Sequence, residues 1–110
     1  MTDKRLVLST AGSEAEARKI AQHLVEQQLA ACVNIVPQIE SIYRWQGKVE
    51  SSREWLLIIK TVADKFAAVR DAIRELHSYD LPECIAVAIE DGSVEYLDWI
   101  GDSVDTGPEQ

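Results

Sequence analysis

Positive charge is scarce in this sequence: 11 lysines and arginines stand against 19 aspartates and glutamates, a formal charge of −8 with a pI near 4.6. Such a balance argues against nucleic acid or an anionic membrane as partner and leaves weak attraction for cations. Long apolar runs are lacking too, since none approaches the ~20 residues that span a bilayer. The opening, MTDKRLVLSTAGSEAEA, holds an apolar stretch too short for a secretory signal core, which predicts a cytoplasmic protein. Cysteine is limited to Cys32 and Cys84, too few for a disulfide framework, so both are expected as free thiols. Also missing are a Gly-rich phosphate loop, His-Glu-x-x-His, Gly-x-Ser-x-Gly and Cys-x-x-Cys, which predicts a protein that is not an enzyme.

What is present suits one compact domain of 110 residues, 46% of them hydrophobic, expected over 1–100 with a frayed polar tail at 101–110. The chain is organised around ACVNIVPQIESIYRWQGKVESSREWLLIIKTV, residues 31–62, two extended arms meeting at Gln46-Gly47-Lys48. An arm of some 14 residues reaches about 45 Å, against about 24 Å for a 16-residue helix. Ile42, Tyr43, Trp45 and Trp55 therefore fall where no second layer covers them, and another copy of the chain is the economical cover. In the first arm Val33, Ile35, Ile39, Tyr43 and Trp45 alternate onto one face and Asn34, Gln38, Glu40 and Arg44 onto the other, with Val36 and Ile42 blurring the pattern. Pro37 predicts an edge strand with a bend or bulge. Trp55-Leu56-Leu57-Ile58-Ile59 is apolar on both faces, so the side away from the helices also needs a cover.

Around this hairpin, residues 4–10 read as a strand. Ser13 with Glu16 fits a capping box opening a helix to about Leu29, with Ala17, Ile20, Ala21, Leu24 and Val25 as its stripe. A second helix from Thr61 or Asp64 to Leu76 carries Val62, Phe66, Val69, Ile73 and Leu76. A loop at 77–83, a strand at 84–90 and a last helix capped by Ser93 and running to Ile100 follow. The fold class is α+β: a ferredoxin-like βαββαβ plait with a long β2-β3 hairpin and an added C-terminal helix. It places the third strand between the first two and sets Cys32 and Cys84 at opposite sheet edges, out of disulfide range.

The residues that could carry chemistry are few. Cys32, Cys84, His23 and His77 are soft-metal candidates suited to copper or zinc, but scattered singly they specify no closed site. Cys84 reads as a small buried hydrophobe and His23 as a solvated or structural histidine, whereas Cys32, at a strand start, could reach a metal or oxidant. His77, Tyr79 and Glu83 share a loop; His77 could equally cap the preceding helix, and an acid/base pair with Glu83 lacks a nucleophile or cofactor motif. Glu54 and Lys60 adjoin burial as rim residues or interface ion partners. Trp45, Trp55 and Trp99 are core or interface anchors, or walls of an aromatic cleft.

Read together, LAACVNIVP (29–37), S-x-Y-x-W-x-G-K (41–48), Glu54, Lys60-Thr61, H-x-Y-x-x-P-E (77–83) and Y-L-x-W (96–99) resemble the CutA divalent-cation tolerance family, in order and with compatible spacing. The resemblance implies a homotrimer, similar in architecture to PII signalling proteins, with a role in tolerance to divalent metals, above all Cu(II), and no required cofactor. It implies metal ligands at Cys32, His77 and Glu83, and an intersubunit cleft at Tyr43, Trp45, Glu54, Lys60, Tyr79 and Trp99. A small anionic effector near Lys60 and Trp45 is the alternative. The chain departs from the family at Ser78 and Gly12, where proline is common, and Ser78 is expected to loosen the loop presenting His77.

Overall fold

A computed structural model describes residues 2–104, in the order β1 (Lys4–Ala11), α1 (Glu14–Glu26), β2 (Cys32–Trp45), β3 (Lys48–Val62), a 3-10 turn (Ala63–Lys65), α2 (Phe66–Leu76), β4 (Ile85–Ala88) and α3 (Val94–Ser103). Antiparallel pairing orders the sheet β2-β3-β1-β4, with the third strand between the first two as expected. Cys32 and Cys84 are both free, Cys32 opening one edge strand and Cys84 just preceding the other.

Length mismatch shapes the molecule. The two arms of 14 and 15 residues outrun helices of 13 and 11, and the chain measures 46 × 27 × 22 Å. The reversal is a two-residue turn with φ of 51° at Gln46 and 81° at Gly47; two positive φ values mark the turn whose twist matches the flanking strands.

Residues paired across an antiparallel ladder share a face. On the helix side, Val7, Ala11, Leu57 and Ile59 pack with Ala17, Ile20 and Leu24 of α1 and Val69 and Ile73 of α2 into the main core. Trp55 joins its margin and is not left uncovered, as the hairpin's length had suggested. Val25, assigned to the α1 stripe, is exposed. On the other side α3 covers one end only: Ile100 and Val104 pack with Ala31 and Val62 in a second, smaller cluster. The last helix thus runs three residues past Ile100, and Val104 anchors it, so residues 101–104 are no frayed tail; 105–110 lie outside the described residues.

The expected alternation along β2 fails at one point, for a local reason. Val36 faces Leu56 but Ile39 faces Glu54, so β2 takes three steps where β3 takes two. Pro37 supplies no donor and Gln38 sits at φ 57°, the marks of a bulge. One extra residue inverts every later side chain. Val33 and Ile35 face the helices, while Ile39, Tyr43 and Trp45 face away with Asn34 and Val36.

The helix-free face retains an uncovered apolar centre. Leu6, Leu8, Leu56 and Ile58 are half-buried there, and Ile85 and Val87 on β4 are 53% and 44% exposed. Leu57, fully buried under α1, tests the other face: Leu57→Ala is expected to lower unfolding stability by about 2–5 kcal/mol, measured by chemical denaturation.

Candidate functional site

The loop after α2 is fastened at four points. The His77 backbone N–H donates to Ile73 O and ends the helix. Its ring does not cap that helix: Nε2 lies 2.6 Å from Thr10 O on β1, and Nδ1 accepts from Tyr79 N–H at 3.1 Å. Because a carbonyl only accepts and an amide N–H only donates, this network assigns the neutral ring with its proton on Nε2. Ser78 donates to Glu16 twice, from its backbone N–H at 2.7 Å and its hydroxyl at 3.2 Å. The loop is therefore tied at Ser78, which corrects the expectation of loosening. Ser13 Oγ still accepts from Glu16 N–H, but the carboxylate that would complete the capping box reaches the loop instead.

The fourth tie enters the site. Tyr79 OH donates to Glu54 Oε2 at 2.7 Å, and Glu54 is only 7% exposed. Gly12 makes room for it, since a Cβ there would stand 3.0 Å from the Tyr79 hydroxyl. Burial first, then the Glu54 hydrogen bond and charge, push the Tyr79 phenol well above its usual range, so it remains a donor. Burial, then the Glu54 charge, also raises Glu83.

Between this loop and the distal hairpin lies a cavity of about 670 Å³. Its walls include Tyr43, Trp45, Glu50, Glu54, Tyr79 and Glu83, with Asp80 at the loop side and, among the described residues, no lysine or arginine. Five of the expected site residues thus meet: Tyr43, Trp45, Glu54, Tyr79 and Glu83. Alternation along β3 sets Glu50 on the face of Glu54, a signal present in the sequence; nothing local marks Asp80.

Lys60 and Trp99 do not belong here. Lys60 is six residues along β3 from Glu54, about 20 Å. Its Nζ donates to Asn34 Oδ1 at 2.6 Å and sits 5.7 Å from the Tyr96 ring, which packs on Trp99 at 5.4 Å. Within one chain Lys60 and Trp45 stand too far apart to hold an effector jointly, so the expected intersubunit cleft would draw them from different subunits.

Nor do Cys32, His77 and Glu83 converge. Cys32 pairs with Lys60, whereas His77 bonds to Thr10, which pairs with Leu56; the offset along β3 is four residues, about 13 Å. Among the described residues no three His, Cys, Asp or Glu side chains are grouped to hold a metal ion. His77, its side chain fully buried and both nitrogens engaged, has none free for a ligand. Cys84 is half-buried against the main core, as read, and burial raises its thiol.

Comparison with known proteins concerns the chain as a whole. The sequence profile of a family described as CutA1 divalent ion tolerance protein matches residues 5–103. The divalent-cation tolerance protein CutA of Thermus thermophilus is 50% identical over 97 residues, 88% of this chain and 94% of that protein. A solved CutA1 structure from the same organism superposes with a TM-score of 0.91 at 47% identity, covering 93% of this chain and 99% of that one. A structure described as the periplasmic divalent cation tolerance protein CutA from Archaeoglobus fulgidus gives 0.90 at 46% identity, with coverage of 93% and 99%.

Tyr79→Phe removes a donor from a buried carboxylate and is expected to cost about 1–3 kcal/mol. Because the folded-state phenol titrates above the unfolded value of 10.0, wild-type stability declines as pH rises beyond 10. Denaturation at pH 9 and 11 should show this slope in wild type and a smaller one in Tyr79→Phe.

Proposed function

Because the chain belongs to the CutA1 divalent ion tolerance family, we propose that it works as a homotrimeric, non-catalytic metal-response protein of the cytoplasm, built from ferredoxin-like protomers. One observation carries the assembly: the apolar centre of the helix-free face, with Ile85 and Val87 about half exposed, is the packing that sister subunits would supply. A net charge of −8 favours divalent cations such as Cu(II) over anions. Since Cys32, His77 and Glu83 stand apart in one protomer, an ion that engages them is held between subunits, after His77 gives up one of its two bonds. His77 hydrogen-bonds Thr10 and Tyr79 and makes no bond to Glu83, which weighs against an acid/base pair. Free cysteines suit a reducing compartment.

A second reading is favoured by the cavity itself: a PII-like protein that binds a small effector in a cleft walled by Tyr43, Trp45, Glu54 and Tyr79.

Sedimentation equilibrium is expected to give three times the 12.3 kDa chain mass, stable to dilution; a folded monomer overturns the assembly. Equilibrium dialysis with Cu(II) is expected to show binding that weakens in Cys32→Ala and His77→Ala. Unchanged stoichiometry and affinity reject those ligands.

A further inference from the structure

The cavity beside Glu54 combines three properties that together select a ligand class. First, the charge this chain lends it is of one sign: Glu50, Glu54, Asp80 and Glu83 line it, and no basic side chain does among the described residues. Second, Glu54 is more than nine-tenths buried, yet only Oε2 is hydrogen-bonded; Oε1 meets no donor among the described residues, and Glu54 has no ion-pair partner there. Oε1 is not among the sealed, unsatisfied atoms, so it remains accessible where the residue borders the cavity. A cationic N–H donor that reaches this free oxygen would gain a charge-assisted hydrogen bond to a largely buried carboxylate. Third, two aromatic rings stand on the same face. Tyr43 is paired directly with Glu50, and Trp45 is two residues further along β2.

The carboxylates are spread along a line and are not gathered around a point. Glu50 and Glu54 lie four residues apart on one face of β3, about 13 Å, and no chelating group of three forms among the described residues. A compact metal ion would leave most of this charge unpaired. An extended chain with an ammonium at each end matches it, its methylenes against Tyr43 and Trp45, where a cation also gains from the ring faces.

We propose that this cavity binds a linear aliphatic polyamine, one terminal ammonium on Glu54 Oε1 near Glu83 and the other at Glu50. The proposal rests on the effector-cleft reading above and reverses the charge expected of the effector. Tyr79 supports it by holding Oε2, so that the free oxygen faces the ligand.

Calorimetric titration of the intact protein with spermidine at physiological salt tests it. Saturable binding at one site per chain is expected, and Mg²⁺ at matched ionic strength should not displace it. Glu54→Gln and Glu50→Gln should each weaken binding about tenfold or more, the worth of a charged hydrogen bond. Glu26→Gln, the same charge change on the exposed outer face of α1, should leave it unaltered. No saturable binding, or equal losses in all three variants, overturns the proposal; Glu50 is exposed, so its variant remains informative if Glu54→Gln fails to fold. If spermidine does not bind and Glu54→Gln instead changes the sedimentation mass, the cavity receives a sister subunit and the proposal also falls. A thermal-shift screen keeps the two ideas separable: a different metabolite that stabilises wild type but not Trp45→Ala overturns the polyamine while leaving the effector cleft standing.

Discussion

Side chains on a strand alternate with a period of two, and a single inserted residue therefore reverses a whole arm. In this protein that residue lies between Val36 and Ile39. Before it, β2 contributes Val33 and Ile35 to the core under the helices; after it, the strand turns Tyr43 and Trp45 to the opposite face. Without the insertion those rings would point away from Glu50 and Glu54, and the cavity would lose its aromatic wall. Proline at 37 and a left-handed glutamine at 38 thus determine where the site can be.

The helix-free face then divides into three zones along β3. At the Val62 end α3 seals it with Ile100 and Val104. In the middle Leu56 and Ile58, with Leu6 and Leu8 beside them, are apolar and only half-buried. Toward the turn, Glu54 and Glu50 form the acidic wall facing the loop that carries Tyr79 and Glu83. The proposed subunit contact and the proposed ligand site are thus neighbours on one continuous surface, with Glu54 at their border.

Much of this was legible in the residues. The stripes Ala17-Ile20-Leu24 and Val69-Ile73, the Ser13 and Ser93 caps and the glycine at the hairpin reversal each rest on local periodicity or local sterics, and each is where it was read. Long-range partners were not legible. That His77 would reach Thr10, 67 positions away, and that Glu16 would leave its own helix for Ser78 depend on how α1, β1 and the loop stack, which no spacing encodes. The same holds for Lys60, whose tether to Asn34 is a cross-strand event. Gly101, Asp102 and Ser103 are poor helix formers, so local propensity ends the last helix at Ile100; burial of Val104 beyond them outweighs propensity and carries the helix to Ser103.

Glu16 serves two partners: its backbone N–H donates to the Ser13 hydroxyl oxygen, while its carboxylate accepts from the Ser78 N–H and hydroxyl. A proline at 78 would offer neither the amide hydrogen nor the hydroxyl, and the acidic group would be released to close back on the start of its own helix. Positions 16 and 78 are consequently expected to drift as a matched pair over evolutionary time, so that the identity of one is a clue to the architecture around the other.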